Sequence, residues 1–281
     1  MYAGGAWRIE DVPIKAALRI QSEDDYLSQD SEYTMARMIN RAVPPGGKIF
    51  AVGLGGGSYL EGDVHTGYRS AANEVAQDIL WTPVVPGFQP VRSMRFDFAE
   101  REVRKLRVVL RGREPIDEWS ITELRVFDLR RELPREPAWR LTAHPNPWDV
   151  QMAFDNSPVT RWRSWQPAAP GMYIEIDFGR LQPVTSVLVE SGWDEVNTRI
   201  GLEGLGKDGK WVTISDHPAL STHPIHFSLR NAASAELKAR GIRYVFLRPD
   251  DPGAWDILRY PGGWGMSLVG ELEGSHLYHI D

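Results

Sequence analysis

Between residues 94 and 274 the apolar side chains come in short runs that alternate with polar ones, most of them closed by glycine, proline, asparagine or aspartate. That pattern constrains the fold most. A side-chain period of two belongs to half-buried strands, and breaks this frequent leave little room for helices. The runs are MRFDF (94–98), KLRVVLRG (105–112), ITELRVFD (121–128), YIEIDFG (173–179), VTSVLVES (184–191), WVTIS (211–215), IRYVFLRP (242–249) and MSLVGELEG (266–274). With 20 Pro, 26 Gly and 11 Trp in 281 residues, turns and bulky aromatics are abundant, as in a β-sandwich with long loops.

The first part of the chain reads differently. SEYTMARMINRA (31–42) places Tyr33, Met35, Ala36, Met38, Ile39 and Ala42 at helical spacing, PPGG stops it, and KIFAVG follows as a buried strand. The expected organisation is a small α/β segment (1–65), an abbreviated jelly-roll-like β domain (66–130) and a β-sandwich (135–281). The polar, proline-bearing stretch 129–137 serves as the linker. A weak echo between the two β regions suggests related sandwiches.

Composition narrows function. A formal charge of −6 with scattered Lys and Arg argues against nucleic acid. The absence of Cys removes thiol nucleophiles, disulfides and thiolate metal sites. No apolar run approaches the length of a membrane helix and no signal peptide opens the chain, so it is expected to be cytoplasmic or a soluble piece of a larger protein.

Several motifs invite chemistry. GLGGGS (53–58) follows a strand but lacks the Lys and Ser/Thr of a P-loop, and reads as a turn. His223 with His226, and His276 with His279, have a metal-ligand spacing but no third ligand in a recognisable position. Glu175 and Asp177 share a strand face; a glycosidase would use such a pair, with Asp194 as a further candidate, but solvent-facing carboxylates are commoner. The aromatics say more. Trp148, Trp165, Trp193, Trp255 and Tyr260 lie in loop-like sequence beside Asp, Asn, Arg or His, the combination that recognises carbohydrate. The alternative for each Trp is to plug an end of the sandwich.

AFDNSPVTRWRSW (153–165), then GMYIEIDFG, VTSVLVE and DGKWVTIS, resembles the discoidin family, also called the coagulation factor V/VIII type C domain, which includes family 32 carbohydrate-binding modules. Its members run A-x-D-G, T-x-W, a strand ending D-[LF]-G, a V-x-x-V strand and D-G-x-W. Ala153, Asp155, Thr160, Trp162, Asp177, Gly179, Val184, Val187, Asp208, Gly209 and Trp211 fall on that pattern, over about residues 135 to 274. Asn156 replaces the family's Gly, and Asn tolerates the same left-handed backbone. The resemblance implies a discoidin-like jelly-roll sandwich of the galactose-binding type, with Trp162 in its core and Arg161, Arg163 and Trp165 toward a ligand. It also implies a structural calcium ion held by Asp155, Thr160 and Glu271.

DDYLSQDSEYTMARMINRAVPPGGKIFAVG, within residues 24–65, is similar to the soluble region of bacterial membrane glycosyltransferases of the protein mannosyltransferase type. This implies an extracytoplasmic, non-catalytic module that binds glycan or positions substrate and meets a membrane only through a parent chain. The rival readings are a glycoside-active domain and a structural or protein-interaction module.

Overall fold

The computed structural model describes residues 18–54, 59–67, 70–89, 91–113, 117–226 and 228–281. Most of the glycine turn expected at 53–58 lies outside them. The chain is mainly β and divides into two compact units. Met1–Asn73 with Lys238–Asp281 forms the first, and Glu74–Leu237 the second.

In chain order the elements are α1 (Glu23–Leu27), α2 (Ser31–Ala42), β1 (Lys48–Ala51), β2 (Asp63–Thr66), α3 (Ala71–Trp81), β3 (Val91–Gly112), β4 (Glu118–Ile121) and β5 (Glu123–Asp128). Then come β6 (Arg131–Glu132), β7 (Arg140–His144), β8 (Trp162–Pro167), β9 (Tyr173–Ser191), β10 (Arg199–Leu205), β11 (Trp211–Ser215) and β12 (Ala219–His223). The chain closes with α4 (Leu229–Ala239), β13 (Ile242–Leu247), α5 (Ala254–Arg259), β14 (Met266–Leu272) and β15 (Ser275–Ile280).

In the first unit, α2 starts where Asp30 accepts a hydrogen bond from the Glu32 N–H, which satisfies one of the free amides of the first turn. It ends at Val43 because the residue before a proline is pushed out of helical geometry. Its Met35 and Ile39 join Ile49, Ala51, Phe246 and Leu277 in one core. The sheet runs β14–β15–β13–β1–β2, with β1 parallel to both β13 and β2. A strand with parallel neighbours on both sides is buried on both faces, hence the apolar KIFA. The strands at 242–249 and 266–274, expected in a C-terminal sandwich, instead complete this sheet.

The second unit is organised by two long strands. β3 has 22 residues and β9 has 19, and they pair antiparallel from Arg92↔Ser191 to Val109↔Tyr173. The turns expected after 98 and after 179 are bulges inside these strands, where the register shifts between Asp97 and Arg101 and between Val103 and Lys105. Gly179, at φ +74°, takes a backbone form that L side chains resist, and its N–H is held by the Asp177 carboxylate at 2.9 Å.

Around this pair the sheet runs β11–β10–β3–β9–β5–β6, with β12 also on β3 and β7 also on β9; β4 and β8 form a separate two-stranded sheet. Trp119 on β4 and Trp162 on β8 are wholly buried, edge-to-face at 5.1 Å, in the same core as Leu106, Ile174 and Val187. The expected linker is no boundary. Arg131–Glu132 pairs with β5, and the Leu133 N–H bonds the Val126 carbonyl at 2.8 Å. Residues on either side of the stretch 129–137 therefore share one sheet, and the units do not follow the expected divisions at 65 and 130–135.

Candidate functional site

The segment 153–165 is first a corner of the fold. Asp155 accepts the Ser157 N–H at 3.0 Å, and the Thr160 hydroxyl sits 3.0 and 2.8 Å from its two oxygens. Asn156 adopts φ +58°, the left-handed form expected for a glycine stand-in, and its N–H donates to Glu123 at 2.7 Å. Trp162 donates its indole N–H to the Asn146 carbonyl at 2.7 Å. A buried Trp needs such a partner, and the bond ties β8 to the loop before it.

Of the calcium set implied by the resemblance, Asp155 and Thr160 stand together in the second unit and Glu271 belongs to the first. The Asp155 oxygens are engaged by Ser157 and Thr160, while Glu271 lies on β14 in the first unit with His276 at 3.8 Å. Among the described residues there is no group of three His, Cys, Asp or Glu placed to hold a metal. His223 ends β12, and His276 and His279 lie on β15, so neither pair occupies a helix.

Beyond Ser164 the strand turns its side chains outward. Trp165 has φ +55°, a left-handed backbone that is uncommon outside glycine and worth functional scrutiny. The residue is 39% exposed, with its indole N–H donating to Asp149 at 3.0 Å and the Arg163 guanidinium 4.5 Å above the ring. Asn146 donates to the same Asp149 carboxylate at 3.0 Å and to the Arg163 carbonyl at 2.9 Å; it also accepts the Trp148 N–H at 3.2 Å. Trp148 is 75% exposed. Arg163 is anchored in turn by Asp78 at 2.8 Å, whose carboxyl burial pushes up to about 6 against the pull of Arg163 and Arg161.

The expected ligand residues thus separate into groups. The Trp148 backbone, Arg163 and the Trp165 indole are linked through Asn146 and Asp149. Arg161 is buried, lies over the Phe88 ring and pairs with Asp194 at 3.6 Å, next to the exposed Trp193. Burial lowers the Arg161 guanidinium to about 10, against the opposing pull of Asp194 and Asp78. Trp255 lies on α5, with Tyr260 as that helix's C-cap, so both belong to the first unit. Glu175 and Asp177 flank one cation: Lys105 reaches them at 2.8 and 3.4 Å across β3 and β9.

The sequence pattern missed one constellation. Glu123 on β5 stands directly opposite Glu190 on β9, with Arg125 3.4 Å from Glu190 and 4.0 Å from Glu123. Burial pushes Glu123 up to about 8, opposed by Arg125 and by the hydrogen bond from the Asn156 N–H. Both glutamates line a cavity of about 390 Å3 together with Arg161 and His223. Neither run, ITELRVFD or VTSVLVES, signals this, because the signal is a cross-strand register.

No protein-family model, no curated protein and no solved structure matches the chain.

Proposed function

We propose that the second unit is a non-catalytic carbohydrate-binding module of discoidin-like type, an extracytoplasmic part of a larger membrane glycosyltransferase-like protein. The observation that carries the reading is the exposed pair Trp148 and Trp165 beside wholly buried Trp119 and Trp162. Large aromatics left in water at a cost in burial energy mark an interaction surface. Asp149 and Arg163 hold Trp165 in place before any ligand arrives, so little side-chain entropy remains to be lost on binding. A sugar ring would lay its C–H face on an indole, while Asp149, Asn146 and Arg163 meet its hydroxyls.

A shallow surface of this kind binds weakly, at roughly 0.1 to 1 mM. Titration with neutral mono- and oligosaccharides should therefore shift the indole N–H signals of Trp148 and Trp165 saturably. Trp148→Ala and Trp165→Ala should each abolish the response while the protein stays folded. The reading fails if a broad glycan panel leaves both signals unmoved at about 10 mM, well above that affinity.

A further inference from the structure

Four neighbouring strands end together on one side of the large sheet. The register pairs His223 of β12 with Val91 of β3, Arg92 with Ser191 of β9, and Glu190 with Glu123 of β5. The cavity of about 390 Å3 opens along these strand ends, within the volume range of small-molecule sites. We infer that this cavity is a second binding site, built for a small, neutral, hydroxyl-rich ligand such as a monosaccharide or cyclic polyol held between Glu123 and Glu190. It shares no residue with the Trp148, Asp149, Arg163 and Trp165 group and does not rest on the carbohydrate-module reading.

Three observations carry this. The first is the pair itself: two carboxyl groups stand directly opposite on adjacent strands, Glu123 buried and Glu190 largely so, an arrangement that keeps both only if one of them holds its proton. A fold under no other demand would replace one of them with an apolar residue. The second is the pair of serines. Ser157 and Ser191 line the cavity, and their hydroxyls are buried with no hydrogen-bond partner among the described residues. Unpaired buried hydroxyls destabilise a fold, and rotation about the Cα–Cβ bond would turn either one toward a ligand hydroxyl in the cavity.

The third observation is the charge balance. Burial holds Glu123 in its neutral form near pH 7, which leaves the Glu190 carboxylate matched by Arg125, while the second guanidinium of the lining, Arg161, is matched by Asp194 at 3.6 Å. An anionic ligand would meet Glu190, and a cationic one would meet Arg125. A hydroxyl both donates and accepts through one atom, so it suits a lining that mixes a protonated carboxyl, a carboxylate, serine hydroxyls and the His223 ring. Ile225, Leu229 and Pro158 supply apolar surface for the C–H face of such a ring.

The test is an amide-resolved NMR titration of the full chain with D-galactose, D-glucose, D-mannose, N-acetyl-D-glucosamine and myo-inositol, each to about 50 mM. Putrescine and inorganic phosphate serve as charged controls. At least one neutral probe should shift the amides of Asn156, Ser157 and Ser191 saturably. That affinity should fall about tenfold in Glu190→Gln and drop also in His223→Ala, an exposed position that the fold tolerates, while Trp165→Ala leaves it unchanged. The inference is overturned if no neutral probe moves these amides, if a charged control moves them more strongly, or if neither Glu190→Gln nor His223→Ala weakens binding. The indole signals of Trp148 and Trp165 report the other surface separately, so the failure of one reading leaves the other standing.

Discussion

Replacing Glu123 by Gln should remove a loss of stability that this protein suffers as pH rises. The carboxyl is 5% exposed and titrates at about 8 in place of its ordinary 4.5, with burial as the main cause. A group whose folded pKa is raised binds its proton more tightly in the native state. The stabilisation is therefore complete below about pH 4.5 and is lost as pH rises through about 8.

A shift of about 3.5 units, at about 1.4 kcal/mol per unit, sets an upper bound of about 5 kcal/mol. That is a large share of the ~5 to 15 kcal/mol by which a domain is held folded. Gln keeps the shape of the protonated acid, accepts the Asn156 N–H through its oxygen and never ionises. The free energy of urea unfolding, followed for both proteins from about pH 5 to pH 9, isolates the effect, because every other titrating group is common to the two. The Gln variant should gain on the native protein by up to about 1.4 kcal/mol per pH unit until about pH 8, then level off. Two curves that stay parallel across the whole range would refute the reasoning.

Trp162→Ala should cost about 3 to 5 kcal/mol, since it empties a wholly buried position against Trp119 and unpairs the Asn146 carbonyl. Trp165→Ala should cost less than half of that, and thermal denaturation giving the opposite order would mean that the two faces of β8 are misassigned. Asp155 and Thr160, which the resemblance assigns to calcium, stand 2.8 Å apart, so calcium added to chelated protein should raise the melting temperature and Asp155→Ala should abolish the rise. No shift at millimolar calcium would retire the ion.

The candidate surfaces were legible in the sequence to unequal degrees. Asn156 in a left-handed corner and Trp162 facing inward follow from local rules, backbone sterics and strand alternation, and the structure has both. The exposure of Trp148 and Trp165 was legible, since both lie in polar loop sequence. Their link through Asn146 and Asp149 was not, because hydrogen bonds between loops have no periodicity. Arg161 was expected beside a ligand like Arg163; the chain buries it over Phe88, a ring distant in sequence, and sets it in the lining of the cavity that holds Glu123 and Glu190.

Helix Ser31–Ala42, its stop before two prolines, and most of the strand segments are decided by the sequence itself, because spacing, capping and φ restriction act over a few residues. Tertiary structure alone decided the rest. It joined four expected strands into β3 and β9, and returned residues 242–280 to the sheet of β1. It also set Glu123 opposite Glu190. Alternation tells which side of a strand faces inward but not which strand lies beside it. Partner choice rests on apolar area buried across the whole chain against the entropy of closing long loops, and neither quantity is contained in any short stretch of residues.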